Sequence, residues 1–172
     1  MESEKTLLQA VLCFFVRGDQ VLLAEKMKAI GKGRLNGYGG GIEPGETPLK
    51  AIVREVAEES GGAYVGPEDL VKVAVADFHN TKEDGATFIC RVHTYIARSW
   101  IGNPKSTEDL KDPNWYEIGN LPVERLMPAD SQWLPLALSG KKIMVKASYG
   151  PRQETLIGEV VIEEVNGFEQ ED

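Results

Sequence analysis

Two pairs of apolar segments alternate with short polar stretches along the chain. Residues 6–16 and 21–27 are rich in leucine, valine and phenylalanine, and the polar stretch RGDQ separates them. Residues 70–79 and 86–97 flank a second, turn-rich polar stretch in the same way. Strand-length apolar segments joined by such stretches are typical of β-hairpins. The pattern therefore predicts two hairpins within this part of the chain.

Between the two hairpins the hydrophobic period changes to that of a helix. Apolar residues recur at helical spacing over residues 48–60. Thr47 can cap the first turn, Pro48 suits the first helical position, and the glycines at 61–62 can end the helix. Residues 28–46, which precede the helix, are rich in glycine and predict a flexible loop.

The last part of the chain predicts shorter elements. Residues 115–119 predict a short strand, and residues 123–127 and 130–140 predict short helices. Residues 142–150 and 155–165 predict a final hairpin. Because strands occur before, between and after helices, we expect a mixed α/β sandwich whose sheet is mixed or antiparallel.

Length and composition fit one domain. A chain of 172 residues with 42% hydrophobic content can build one sizeable core, and we find neither a repeat nor an interdomain linker. We therefore expect a single domain over residues 1–172, in which the acidic residues 167–172 form a frayed tail.

The charge balance excludes a protein that holds a nucleic-acid polymer through its phosphates. The chain has 27 Asp and Glu against 19 Lys and Arg, which gives a formal net charge of −8. No stretch is long and apolar enough to span a membrane, and an acidic leader without a small-residue cleavage site precedes the first apolar segment. Cys13 and Cys90 lie in apolar strand segments, where buried thiols are expected. These features predict a cytoplasmic protein without a membrane partner.

The predicted helix concentrates negative charge beside the glycine-rich loop. At about 100° per residue, one face of the helix is apolar and faces the core. This core-facing stripe consists of Leu49, Ile52, Val53 and Val56. The opposite face carries Glu55, Glu58 and Glu59. Clustered glutamates repel one another, and Mg²⁺ or Mn²⁺, which prefer oxygen ligands, would remove the repulsion.

A solvated acidic surface is the alternative interpretation of these glutamates. The loop in front of the helix favours a ligand site instead, because glycines allow backbone groups to approach a ligand closely. The glycines concerned are Gly37, Gly39, Gly40 and Gly41.

The loop and the helix together resemble the signature of the Nudix family. The matching residues are Gly40, Glu46, Arg54, Glu55, Val56, Glu58, Glu59 and Gly61. Only the final apolar position of the signature departs from the pattern, because Gly62 stands there. The resemblance implies an α/β/α Nudix sandwich. It also implies hydrolysis of a nucleoside diphosphate linked to another moiety, with Mg²⁺ or Mn²⁺ as the cofactor.

The resemblance also implies roles for the matched residues. The metal ligands would be Glu55, Glu58, Glu59 and the carbonyl oxygen of Gly40. Arg54 would belong to the catalytic set, since it can pair with Glu58 one helical turn further on. One of the glutamates would act as the general base, and the sequence leaves open which one. Glu46 would brace the loop.

A closer resemblance is to the oxidised purine nucleoside triphosphatases, one branch of this family. It extends over residues 33–47, 112–118 and 127–143. The resemblance implies that Asn36 and Asp130 recognise the base. It also implies that the substrate is a nucleoside triphosphate with a modified purine, such as 8-oxo-dGTP, and that the products are the monophosphate and pyrophosphate.

Two departures from that branch affect the substrate. Ala129 replaces an aspartate and Met127 replaces a tryptophan, so we expect weaker discrimination between oxidised and ordinary purines. Lys28 and Phe78 are further candidates for substrate binding. The structural alternatives are a solvated lysine for Lys28, a core position for Phe78 and an N-cap of the following helix for Asp130.

Three functions remain compatible with the sequence. The first is a metal-dependent hydrolase of purine nucleoside triphosphates. The second is the same chemistry on ADP-ribose or a dinucleotide polyphosphate, and the third is a non-catalytic nucleotide sensor. In each case the partner is a small-molecule nucleotide, and the sequence leaves the oligomeric state open.

Overall fold

The structure, a computed structural model, describes residues 6–169. The start of the acidic leader and the end of the expected tail, residues 1–5 and 170–172, lie outside the described residues. Within the described part the helices are α1 (Pro48–Glu59) and α2 (Asp130–Leu138). The strands are β1 (Gln9–Arg17), β2 (Gln20–Lys26), β3 (Leu35–Asn36), β4 (Tyr38–Gly41), β5 (Ala63–Tyr64), β6 (Leu70–Thr81), β7 (Thr87–Ala97), β8 (Ile101–Gly102), β9 (Leu110–Glu117), β10 (Lys142–Tyr149) and β11 (Val161–Val165).

Nine of these strands form one mixed sheet. The strand order is β11-β10-β6-β7-β1-β2-β3, with β4 beside β1 and β9 beside β2. β1 runs parallel to β7, and β6 runs parallel to β10. The other neighbours in the sheet are antiparallel. The predicted mixed sheet is therefore confirmed, and β5 and β8 form a separate two-stranded ladder.

The two helices cover opposite faces of the sheet. Successive side chains of a strand point to opposite faces, so each strand can contribute to two cores. Cys13 and Phe15 of β1 join the core that contains Ile52 of α1. Phe14 of β1 joins the core that contains Trp133 of α2. The chain is thus an α/β/α sandwich with one core on each side of the sheet.

Most predicted elements are confirmed. The two predicted hairpins are β1–β2 and β6–β7. The helices predicted over residues 48–60 and 130–140 are α1 and α2. Cys13 and Cys90 are buried and unpaired. No helix within residues 6–169 is long and apolar enough to cross a membrane.

The C-terminal part differs from the prediction in detail. Residues 123–127 form only a short 3₁₀ turn at Val123–Arg125, between two prolines that limit its length. The final hairpin forms between β10 and β11, but β11 begins only at Val161. Within the expected tail, the ring of Phe168 lies 5.6 Å from the ammonium nitrogen of Lys72.

Helix α1 begins and ends as its sequence predicts. Thr47 Oγ1 accepts a hydrogen bond from the Lys50 amide at 3.2 Å, which caps the first turn. The chain leaves the helix through Gly61 and Gly62, whose φ angles are 72° and 145°. A φ of 145° disfavours any residue with a side chain, which explains why Gly62 replaces the apolar residue of the signature.

The buried face of α1 differs from the prediction at Glu55. Its buried residues are Ala51, Ile52, Glu55 and Val56. Val53, which we assigned to the core-facing stripe, is only partly buried. The prediction that all three glutamates lie opposite the core is therefore wrong for Glu55. The reason is the run of three glycines that follows Tyr38 in β4, because these glycines have no side chains to hold this side of α1 away from the sheet.

We expect Thr47→Ala to lower the free energy of unfolding by about 1 kcal/mol, because the Lys50 amide loses its capping acceptor. Urea denaturation measures the change. Thr47→Ser keeps the hydroxyl and is the matched control, with less than about half of that loss. Equal stability of Thr47→Ala and the wild type would show that the hydroxyl does not stabilise the helix.

Candidate active site

Strand β4 contains consecutive glycines because its backbone lies against two other elements. A Cβ on Gly39 would lie 2.0 Å from the carbonyl oxygen of Val11 in β1. A Cβ on Gly40 would lie 2.5 Å from Oε1 of Glu55 in α1. Non-bonded atoms do not approach this closely, so Gly39 excludes a side chain, and a side chain at Gly40 would have to displace the Glu55 carboxylate. β4 therefore presents bare backbone to the carboxylates of α1.

Arg54 joins the loop to the helix. Its guanidinium donates to both carboxylate oxygens of Glu46, at 2.7 and 2.9 Å, and to the carbonyl oxygen of Gly41 at 3.0 Å. It also donates to Glu55 at 2.8 Å and to Glu58 at 3.1 Å. Hydrogen bonds from Arg54 lower the pKa of the Glu46 carboxyl to about 2. These contacts fit the bracing role expected of Glu46, and they make Arg54 a residue that positions the glutamates.

The three glutamates of the signature have different environments. Glu59 Oε2 accepts a hydrogen bond from the Gly39 amide at 3.1 Å. Burial nevertheless raises the pKa of the Glu59 carboxyl to about 7. Glu55 is buried against Gly40, and burial raises its pKa as well. The Glu58 side chain is 59% exposed.

Glu55, Glu59 and the backbone of Gly40 form the oxygen-rich end of the site. Within residues 6–169, no three Asp, Glu, His or Cys side chains converge closely enough to hold a metal ion by themselves. Mg²⁺, however, commonly takes only one or two carboxylates and completes its coordination with water and substrate phosphate. Two carboxylates beside a backbone that leaves no room for a Cβ fit such an ion. Glu58 is 59% exposed, and its place among the metal ligands stays a prediction.

One cavity of about 420 Å³ extends from this end of the site to helix α2. The predicted site residues that line it are Lys28, Asn36, Gly40, Glu59, Phe78 and Asp130. The predicted residues that do not line it are Arg54, Glu55 and Glu58. Phe78 forms part of the wall, with its ring centroid 5.6 Å from that of Tyr149. The cavity therefore connects the glutamate end to the residues expected to recognise a base.

The far end of the cavity contains a buried carboxyl group. Asp130 is 4% exposed, and its Oδ1 accepts a hydrogen bond from Trp133 Nε1 at 3.0 Å. Burial raises the pKa of Asp130 to about 7. Ala129 occupies the N-cap position of α2, so the alternative that Asp130 caps this helix is wrong.

Asn36 and Met127 also line this end of the cavity. Asn36 Oδ1 accepts from the Gly37 amide at 2.9 Å, and its Nδ2 donates to no residue within 6–169. Ala129, in contrast, is fully buried in the core and does not line the cavity. Of the two departures from the oxidised purine branch, only Met127 changes the cavity wall directly.

Lys26 is a cavity residue that the sequence analysis missed. Burial lowers the pKa of its ammonium group, whereas the nearby carboxylates of Glu59 and Asp130 raise it. Lys28, which the sequence analysis proposed, is about half exposed at the rim. It pairs there with Glu108 at 3.7 Å and with Asp109 at 3.8 Å.

Strand β2 offered no periodic signal for Lys26. Both alternating series of the strand are buried, since Val21 and Leu23 are as buried as Leu22 and Ala24. Lys26 is the last residue of β2, whereas Lys28 follows its end.

Comparisons with known proteins agree with this geometry. The family model described as the NUDIX domain matches residues 6–137. The chain is 34% identical over 131 residues to a mouse protein named oxidized purine nucleoside triphosphate hydrolase. That alignment covers 76% of this chain and 80% of the relative.

Solved structures share the fold. The mutator MutT protein from Bacillus halodurans matches with a TM-score of 0.72 at 24% identity, over 91% of this chain and 98% of that protein. A bifunctional NMN adenylyltransferase/ADP ribose pyrophosphatase from Francisella tularensis, in complex with AMP and a manganese ion, matches with a TM-score of 0.58 at 21% identity. This second match covers 79% of our chain and 42% of the other.

The family match includes the loop and helix that place carboxylates at one end of the cavity. Nudix enzymes generally use divalent metals, which agrees with the oxygen-rich environment around Gly40. The chain therefore belongs to the Nudix family and is a Nudix pyrophosphohydrolase.

Proposed function

We propose that this protein hydrolyses a nucleoside triphosphate with a modified purine, such as 8-oxo-dGTP, to the monophosphate and pyrophosphate. Mg²⁺ or Mn²⁺ is the proposed cofactor. The observation that carries the proposal is the single cavity with Glu59 at one end and the buried Asp130 at the other. The name of the mouse relative supports the same substrate class.

The glutamate end suits the hydrolysis of a phosphoanhydride. When bound, a divalent cation neutralises charge on the phosphoryl oxygens and raises the acidity of a bound water. Glu55 and Glu59 would hold it, and Arg54 fixes the Glu55 carboxylate through its 2.8 Å hydrogen bond. Either glutamate could accept a proton from the attacking water, so the identity of the general base stays open.

Lys26 is placed to contact a substrate phosphate. Its ammonium group lies within the electrostatic influence of both Glu59 and Asp130, between the two ends of the cavity. An acidic chain with a net charge of −8 needs a local cation to accept a polyphosphate. Lys26 supplies one inside the cavity, and Lys28 supplies another at the rim.

Asn36 and Asp130 would recognise the edge of the purine. The Asn36 amide offers a donor, and the Asp130 carboxyl can accept a hydrogen bond or, when protonated, donate one. A pKa of about 7 makes both protonation states of Asp130 accessible near neutral pH. The ring of Phe78 provides a flat apolar wall for the base.

Two other functions compete with this proposal. ADP-ribose or a dinucleotide polyphosphate would be cleaved at the same glutamate end, with a different group beyond the diphosphate. A non-catalytic sensor would need the base end alone, whereas here Arg54 holds Glu46 and Glu55 in place. A panel of these compounds distinguishes the three functions: a nucleoside triphosphatase releases pyrophosphate from the triphosphates, the second activity releases a nucleotide from ADP-ribose or the dinucleotide polyphosphate, and a sensor binds a nucleotide without cleaving it. We also propose a cytoplasmic location, on the two buried and unpaired thiols.

We expect activity to require Mg²⁺ or Mn²⁺, and we expect Glu59→Gln to lower kcat by about 10²-fold or more. This is the effect of losing one group that stabilises charge in the transition state. Pyrophosphate release from 8-oxo-dGTP measures both effects.

Glu58→Gln is the matched control for this experiment. It makes the same chemical change on the same helix, but at an exposed side chain that does not line the cavity. We expect this variant to retain about tenfold more activity than Glu59→Gln. Full turnover in excess chelator, or equal losses in both variants, would contradict the proposed roles.

We expect Glu59→Gln to be at least as stable as the wild type when metal is absent. Burial raises the folded-state pKa of Glu59 from 4.5 to about 7, so the folded state binds its proton more tightly than the unfolded state. The stability that this proton contributes is complete below about pH 4.5 and is lost as the pH rises through about 7.

The stability of Glu59→Gln relative to the wild type should therefore increase between about pH 5 and pH 7 and stay constant above about pH 7. Thermal melts in chelator across this pH range measure it. A variant that melts well below the wild type at about pH 8 would show that the Glu59 carboxylate stabilises the fold.

We expect Asp130→Ala to reduce kcat/KM for the preferred purine triphosphate by about 10- to 100-fold. A buried polar partner of the base is lost, which corresponds to about 1–3 kcal/mol. The activity on dCTP should change much less. The measurement compares 8-oxo-dGTP, dGTP and dCTP, and equal losses on all three would show that Asp130 serves only the fold.

Asp130→Asn is the matched variant, since an amide oxygen can still accept from Trp133. We expect its kcat/KM for the purine triphosphates to fall less than that of Asp130→Ala. In the wild type we expect weak discrimination between 8-oxo-dGTP and dGTP, because a flexible thioether at Met127 replaces a rigid stacking surface. A sharp preference for 8-oxo-dGTP would contradict that expectation.

A further inference from the structure

A tight turn after β10 places a cation in the wall of the cavity. The turn is a short 3₁₀ segment, Pro151–Gln153, and both Arg152 and Gln153 line the cavity. Their φ angles are 58° and 57°, in the left-handed region. This region is unfavourable for residues with a side chain, and such residues concentrate at functional sites.

Specific contacts hold the turn in this conformation. Gln153 Nε2 donates to Oδ1 of the buried Asn80 at 2.7 Å, and Asn80 Nδ2 donates to the carbonyl oxygen of Phe78 at 3.0 Å. The Gly150 amide donates to the carbonyl oxygen of Thr155 at 2.9 Å, which closes the turn. The turn is thus fixed to strand β6, and the position of Arg152 is fixed with it.

The guanidinium of Arg152 has no hydrogen bond or ion pair with any residue from 6 to 169. Other arginines of the chain donate to oxygen acceptors, as Arg34 does to Leu126 and Arg125 to Glu25. A chain with a net charge of −8 has many carboxylates that could pair with Arg152. Its five donors are instead available to a molecule in the cavity.

Arg152 lies near the base end of the cavity and far from the glutamate end. Strand β4 contains Gly40. Four neighbouring strand pairs separate β4 from β10, and this separation corresponds to about 19 Å across the sheet. Tyr149, three residues before Arg152, accepts through its hydroxyl from the amide of Ala129, next to Asp130. The backbone of Arg152 therefore lies on the side of Asp130, where we propose that the base binds, and away from Gly40.

We propose that Arg152 is a specificity-determining residue that donates through its guanidinium fork to two adjacent acceptors on the bound base. Among ordinary purines, guanine presents such a pair in O6 and N7, whereas adenine has an amino donor in place of O6. Oxidation of guanine at C8 places a hydrogen on N7, so this contact favours ordinary guanine over 8-oxoguanine. The inference rests on the proposed function for its ligand class, but it requires only that the nucleotide binds. Arg152 lies beyond residues 6–137, which match the family model.

The test is equilibrium binding of product nucleotides, which involves no turnover. Arg152→Ala should weaken the binding of dGMP by about tenfold or more, the effect of losing one bidentate contact to a base. The affinities for dAMP and for pyrophosphate with Mg²⁺ should change by less than about twofold, and that for 8-oxo-dGMP should fall less than that for dGMP. Arg98→Ala, which removes the same charge from an exposed position outside the cavity, should change none of them.

Arg152→Gly separates a binding role from a structural one. Glycine adopts the left-handed conformation readily, so this variant should melt at the wild-type temperature or slightly above it while it loses affinity for dGMP. Arg152→Lys keeps the charge without the fork and should restore only part of that affinity. A melting temperature well below the wild type, with unchanged dGMP affinity, would show that Arg152 serves the fold and would overturn the inference.

The remaining outcomes separate this inference from the proposed function. Equal losses of dGMP and pyrophosphate binding would show that Arg152 contacts phosphate, and equal losses of dGMP and dAMP would show that it does not read the base. Either result overturns the inference, as does a wild type that binds no dGMP. A selective loss of dGMP binding in a protein that does not hydrolyse 8-oxo-dGTP would uphold the inference and overturn the proposed function.

Discussion

The packing of helix α1 against the glycine strand β4 is the contact on which the active site depends. A Cβ at Gly39 would overlap the backbone of β1, and a Cβ at Gly40 would overlap the Glu55 carboxylate. Because neither exists, the helix lies close enough for the Gly39 amide to donate to Glu59 at 3.1 Å. The same closeness removes Glu55 and Glu59 from water, and this burial raises the pKa of both carboxyls. The glycines of β4 and the glutamates of α1 are neighbours in the sequence because the bare glycine backbone lets the helix bring its carboxylates close to the strand.

A second constraint divides the acidic residues by role. Arg54 donates to Glu46, Glu55 and Glu58, and its guanidinium is the one positive charge that these three carboxylates share where the loop meets the helix. Glu59 receives a backbone amide in place of the guanidinium. It lines the cavity within the electrostatic influence of Lys26, whereas Arg54 holds Glu46 where the loop meets the helix. Charged residues that look equivalent in a signature are thus distinguished by which of them the single arginine reaches.

Local patterns predicted the parts of the structure that depend on neighbours in sequence. The cap at Thr47, helix α1, the hairpins and the pairing of Arg54 with Glu58 all follow from residues within one turn or one hairpin. Two features depend on contacts between residues distant in sequence and were missed. Glu55 is buried against the backbone of Gly40, and Lys26 lines the cavity within the electrostatic influence of Glu59 and Asp130. The period of one helix or strand does not show what lies opposite its face, and this information was needed in both cases.

Charge along the cavity alternates in a way that suits an acidic ligand in an acidic protein. Glu59, Lys26 and Asp130 follow one another from the glutamate end to the base end, and Arg152 lies beyond them near Tyr149. Lys26 cannot give its full charge to both carboxylates, so a phosphate that enters between them competes with two partners already present. Lys26 interacts electrostatically with the carboxylates at both ends, so its charge acts on the base end and on the phosphate end of the proposed site alike.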